Sequence, residues 1–145
     1  MQNLLLDTNI VSELIRDNAN ENVVTWFESC DETSICTSVI SLAEMLAGVA
    51  LLPAGKRKEL LIKAVNQMFE LRFNKKILPF NAACANHYAF IVTSRRVAGK
   101  PIGIADAQIA SIALSQNLAL VTRNSKDFEQ IQGLTLMNPW LPQNI

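Results

Sequence analysis

The stretch Leu4-Leu5-Leu6-Asp7-Thr8-Asn9 decides how this chain is read. Three consecutive branched apolar residues predict a strand buried on both faces, as in a parallel sheet covered by helices on either side. Asp7 then stands at the strand's carboxyl end, where open α/β sheets place their chemistry. Thr8 or Asn9 supplies a helix cap, and Ile10, Leu14 and Val11 form the inner face of a helix running to about residue 17.

The rest of the chain repeats this alternation. A polar turn over 18–22 leads to a helix carrying Val23, Val24, Trp26 and Phe27, and a short strand is predicted over 33–37 with Ser38 as the next cap. Residues 39–52 are almost wholly apolar and predict a buried helix whose single charge is Glu44. Pro53 and Gly55 break it, and an amphipathic helix follows from Lys56, with Leu61, Ala64 or Val65, Met68 and Leu71 as its stripe. Leu60, Phe69 and Phe73 widen that apolar area, either as core or as a face for a partner helix.

A strand at 76–79 and a helix over 82–98 come next, the latter ending in Arg95 and Arg96. A loop with Pro101 and Gly103 opens a helix over 104–116, in which Ala105, Ile109, Ile112 and Ala113 face the sheet. A buried strand at 118–122, a turn through Asp127 and Phe128, and a last strand at 134–137 complete the pattern. Strands alternating with helices imply right-handed crossovers, hence a three-layer α/β/α sandwich around a central, mainly parallel sheet of four to five strands. One domain over 1–145 is expected: 145 residues, 50% apolar and 18% charged, suffice for one core.

Composition narrows the function classes. The weakly charged run 35–52 contains Thr37, Ser38, Ser41 and Glu44, so a strand and a helix are expected there in place of a membrane span. No basic leader precedes Asp7, which speaks against a signal peptide. Cys30, Cys36 and Cys84 are odd in number and widely spaced, as expected of reduced thiols in a cytoplasm. With His87 as the single histidine, a Cys/His zinc site is a poor expectation. The net charge is zero, yet residues 1–50 hold eight acids and one base whereas 51–145 hold twelve bases and five acids. That split is either solvated surface or the footprint of a polyanionic partner.

Four acids sit where an acid is locally unexpected. Asp7 ends a buried strand, Glu44 interrupts an apolar helix, Asp106 opens a helix after a glycine-containing loop, and Asp127 follows the strand at 118–122. A buried carboxylate costs several kcal/mol unless it is paired, hydrogen-bonded or bound to a cation. If the four converge, repulsion raises the pKa of at least one, and a hard divalent cation such as magnesium or manganese relieves it. The chemistry expected of such a site is hydrolysis of a phosphodiester. Each acid also has a simpler reading: Asp7 and Asp106 as helix caps, Asp127 as turn chemistry, Glu44 on a solvent-facing stripe.

The residues further carry a family resemblance. Leu-Leu-Asp-Thr-Asn at the start, Ser-Leu-Ala-Glu around Glu44, Pro-Ile-Gly-Ile-Ala-Asp-Ala-Gln-Ile-Ala around Asp106, Leu-Val-Thr-Arg-Asn before Asp127, and Asn138-Pro139-Trp140 resemble a PIN domain. More narrowly, the chain resembles the VapC and FitB group of toxin–antitoxin ribonucleases. The resemblance implies a magnesium-dependent endoribonuclease with Asp7, Glu44 and Asp106 at three acidic positions. The resemblance leaves the fourth acidic position between Asn124 and Asp127, since some relatives carry the acid at the first and others at the second; Asp127 is taken as the fourth acid with Asn124 as its neutral neighbour, and Thr8 and Thr122 orient carboxylates or water. It also implies a cognate VapB-like antitoxin and a homodimer, with initiator tRNA one possibility among structured RNAs.

RNA cleavage at an acidic pocket needs cations around it, and Arg95, Arg96, Lys100, Arg123 and Lys126 are the bases placed for phosphate contact. No aromatic platform for base stacking is visible, so recognition is expected to rest on RNA shape. Two rivals remain in view: a catalytically silent PIN-like adaptor that binds RNA or protein, and a phosphotransfer or phosphatase domain using Asp7. The second is weakened by Asn9, which stands where an Asp-x-Asp motif needs its second acid; no Gly-x-Gly-x-x-Gly supports a dinucleotide site either.

Overall fold

The structure is a computed structural model describing residues 3–142. Its central sheet comprises β1 (Leu4–Leu6), β2 (Ile35–Ser38), β3 (Ile77–Leu78), β4 (Ala119–Val121) and β5 (Leu136–Met137), in the order β3-β2-β1-β4-β5. Every pairing is parallel, with Leu5 opposite both Cys36 and Leu120. The helices are α1 (Thr8–Leu14), α2 (Glu21–Ser29), α3 (Val39–Ala50), α4 (Lys56–Leu71), α5 (Ala82–Val97), α6 (Ile104–Ser115) and the single turn α7 (Ser125–Phe128). The expected α/β/α sandwich is therefore present, with five strands.

Strand alternation divides the core. Leu5 and Leu120 point to one face and pack with Ile91 of α5, Ile109 and Ile112 of α6 and Phe128. Leu6 and Val121 point to the other, against Ile10, Val23, Phe27, Val65, Phe69 and Phe73 from α1, α2, α4 and the segment after it. Because side chains alternate with period two, neighbouring leucines serve opposite layers, which is why the strand had to be apolar throughout. Phe69 and Phe73 thus belong to the core.

Several local expectations are corrected. The helix after β1 is capped by Asp7 itself, whose carboxylate accepts from Thr8 N at 2.8 Å, and it ends at Leu14 instead of residue 17. β2 begins at Ile35, because Asp31 caps a 3-10 turn over Glu32–Ser34. β5 covers only the second half of the predicted strand. The largest correction concerns α3, expected to be buried: only Ser41, Met45 and Val49 are, while Glu44, Leu46 and Ala47 are exposed. Leu71, assigned to the inner stripe of α4, is 76% exposed, because the helix turns Val65 and Phe69 inward. Among the described residues no helix is long and apolar enough to cross a membrane.

Candidate active site

The strand order reverses at β1, so the crevice at the carboxyl ends of β1 and β4 is the topological switch point of the sheet. Four elements deliver acids to it. Asp7 comes from the end of β1, Glu44 from α3, Asp106 from the first turn of α6 and Asp127 from α7.

Asp7 is buried and fully engaged. One oxygen accepts from Thr8 N at 2.8 Å; the other accepts from the Thr122 hydroxyl at 2.8 Å and from Asn9 Nδ2 at 3.3 Å. Thr122 is itself fixed, since its Oγ1 accepts from Asn124 N at 3.1 Å and from Asn9 Nδ2 at 3.3 Å while donating its one proton to Asp7. Burial raises the Asp7 pKa above the usual carboxylate range; the Thr122 and Thr8 bonds oppose that rise, and repulsion from Glu44 and Asp127 adds to it.

Glu44 reaches the site from the exposed side of α3, its Oε1 2.7 Å from the Thr8 hydroxyl. Thr8 Oγ1 also lies 2.9 Å from Ser41 Oγ. A hydroxyl has one proton, so when Thr8 serves the carboxylate, the bond from Ser41 runs toward Thr8. Thr8 therefore bonds to Glu44 and Thr122 to Asp7.

Asp106 is half-buried beside Gly103, where a β-carbon would come to 4.0 Å from its Oδ2. Burial pushes its carboxyl up to about 6, with repulsion from Asp7, Asp127 and Glu44 in the same direction and the Arg95 cation opposing. The repulsion on Asp106 from all three other acids accords with their delivery to one crevice. Asp127 is exposed, its N–H donating to Asn124 O at 3.0 Å, whereas the Asn124 side chain forms no cap bond.

Among the described residues, no three acidic, histidine or cysteine side chains close tightly enough to form a ready-made metal cage. The set is open, with a buried and a half-buried inner carboxylate and two outer ones on exposed helix surface. All the donors are hard oxygens whose repulsion a cation relieves, so the chemistry of the set fits a divalent cation that keeps part of its water.

The basic residues divide. Arg123, Lys126, Arg96 and Lys100 are exposed. Arg95 is a correction: expected at phosphate, it is 5% exposed and donates to three carbonyls, from Nε to Lys100 O at 2.8 Å and from Nη1 to Asp127 O and Glu129 O, both at 2.9 Å. It ties the end of α5 to the turn that carries Asp127. Asn9, expected as a helix cap or as the place of a missing acid, instead bridges Asp7, Thr122 and the Arg123 N–H. Its place two residues after Asp7 on the first helical turn was the available signal. Ser41, one turn before Glu44 on α3, was also overlooked.

The fold and site together define a doubly wound α/β protein with a carboxylate centre at the sheet's switch point. Residues 4–134 match the PIN domain, and the chain belongs to the PIN domain family. It is 38% identical over 137 residues to "Toxin FitB" of Neisseria gonorrhoeae, covering 94% of this chain and 98% of the relative. It is 32% identical over 139 residues to "VapC ribonuclease Y4jK" of Sinorhizobium fredii, covering 96% and 99%. Among solved structures, FitAB bound to an IR36 DNA fragment contains a chain of 37% identity that superimposes with a TM-score of 0.90, covering 97% of this chain and 98% of that one.

Proposed function

We propose that this protein is a magnesium-dependent endoribonuclease, the toxin of a type II toxin–antitoxin pair acting in the cytoplasm. The observation that carries the reading is the Asp106 carboxyl, raised first by burial and then further by repulsion from three other acids delivered from three other elements. Structural acids disperse; a set brought together against its own repulsion serves a cation. The names of the relatives, a toxin and a ribonuclease, agree with it.

Asp7, Glu44, Asp106 and Asp127 would hold magnesium, or manganese in its place, and the ion would supply polarisation of water and of the phosphoryl oxygen. The chain's own residues do the rest. Thr122 and Asn9 lock the Asp7 carboxylate, Thr8 positions Glu44, and exposed Arg123, Lys126, Arg96 and Lys100 offset the phosphates entering an acidic pocket. Water adds to phosphorus as the bond to the leaving ribose oxygen breaks.

An antitoxin partner is supported by a groove of about 510 Å³ that runs along α1, α3 and α4 past Met45, Val49 and Leu61 and opens at Glu44. An amphipathic helix seated there would bring its following residues to the acids. A homodimer belongs to the same reading.

The test is cleavage of total RNA by purified protein in magnesium and again after full chelation. Cleavage that requires the metal, and growth arrest that Asp7→Asn abolishes and a co-expressed antitoxin relieves, are the expected results. Cleavage undiminished without metal overturns the mechanism, and full toxicity of Asp7→Asn overturns the site.

A further inference from the structure

Beside the acids lies a second concavity of about 460 Å³, lined by Arg123, Asn124, Lys126, Asp127 and Asn138. Its rim is built with care. Arg123 N donates to Asn9 Oδ1 at 3.2 Å, Asn138 Nδ2 donates to Arg123 O at 3.4 Å, Trp140 N donates to Asn138 Oδ1 at 3.0 Å, and Asn22 Nδ2 donates to Trp140 O at 3.1 Å. The Arg123 guanidinium lies over the Trp140 ring, 5.1 Å from its centroid, and the indole packs against the core cluster that includes Leu6, Ile10 and Val121.

An arginine kept only for stability beside this many acids would pair with one. Among the described residues Arg123 forms no ion pair, although Asp127 and Glu129 line the same cleft. Stacking on an indole holds a guanidinium by its face and leaves its N–H edge directed outward, the geometry that grips a phosphate through two parallel bonds. Lys126 adds a second cation, and Asn138 contributes amide chemistry to the same wall.

We propose that this cleft is the subsite for the RNA backbone beside the scissile bond, with Arg123 gripping a phosphate and Trp140 as the positioning residue that holds the guanidinium at the rim. The inference rests on the ribonuclease reading above, and its test reads binding, not cutting. Glu44→Gln protein, altered at an exposed site so that the fold is kept, is titrated in magnesium with a fluorescent single-stranded oligoribonucleotide at several salt concentrations. Adding Arg123→Ala should weaken binding about tenfold, the scale of one charge-assisted contact. The slope of log Kd against log salt should fall by about 0.7, the value for one phosphate of a single strand. Arg123→Lys should restore the slope but only part of the affinity.

Trp140→Leu should reproduce part of the Arg123→Ala loss, and the double variant should bind no more weakly than Arg123→Ala alone. Unchanged affinity and slope in Arg123→Ala overturn the subsite, and losses that multiply in the double variant overturn the role of Trp140. Both results leave the ribonuclease reading standing. A Glu44→Gln parent that binds no RNA overturns both.

Discussion

The four acids form two unlike pairs. Asp7 and Asp106 are drawn into the fold, and burial dominates the upward shift of both. Glu44 and Asp127 stand on exposed helical surface. The inner pair is costly to ionise without a cation, whereas the outer pair faces solvent, with Glu44 held there by the Thr8 hydroxyl. Burial and exposure come from different elements: the end of β1 and the first turn of α6 supply the inner pair, α3 and α7 the outer one.

That division can be broken by substitution. The largest effect is expected from Asp7→Asn, which should lower RNA cleavage by a factor on the order of 10² to 10³, the scale of losing a preorganised electrostatic group. Asp127→Asn should cost clearly less, and Asn124→Ala, which removes an exposed side chain that forms no cap bond, should cost less again. Equal losses from Asp7→Asn and Asp127→Asn in the same assay would erase the distinction between inner and outer acids.

Next in size is the brace behind the outer pair. Arg95→Met removes the donor to Lys100, Asp127 and Glu129 carbonyls, and should destabilise the domain by roughly 3 kcal/mol. In thermal unfolding this is a fall in Tm on the order of 10 °C. A variant that melts with the wild type would show that the Asp127 turn needs no brace.

The smallest effect sharpens the cost of the inner pair. The Asp106 pKa is raised from 3.8 to about 6 by folding, so ionisation is disfavoured in the folded state. The resulting destabilisation is absent below about pH 3.8, grows as pH rises toward 6 and is constant above that. In chelator at pH 7.5, Asp106→Asn should therefore melt higher than the wild type by about 2 °C, a figure kept small because the group is only half-buried. At pH 4 most of the gain should vanish. A stabilisation equal at both pH values would place its origin outside the charge.

Much of this was legible in the sequence, for a physical reason. Asp7, Glu44 and Asp106 each interrupt an apolar run, and apolar runs fix their own layer, so an intruding acid is placed by its neighbours. The outward face of α3 was misread because Leu46, Ala47 and Leu51 are apolar without being covered. Hydrophobicity reports what wants covering, not whether this chain or another covers it. Arg95 was misread because a base at a helix end looks the same whether it enters solvent or folds back onto carbonyls 32 and 34 residues away. Asn9 and Ser41 act through side-chain hydrogen bonds, which leave no periodic trace.

The bond from Thr122 to Asp7 joins residues 115 apart in the chain. β1 pairs with β4 as well as β2, and Asp127 follows β4, so the catalytic crevice has no partial form that a growing chain could adopt early. Closing so long a loop is among the slower events of folding. While the ribosome is still making this protein, the emerging polypeptide carries its first acid exposed and its last ones unmade. A cell translating it is spared the nuclease until nearly the whole chain has been released.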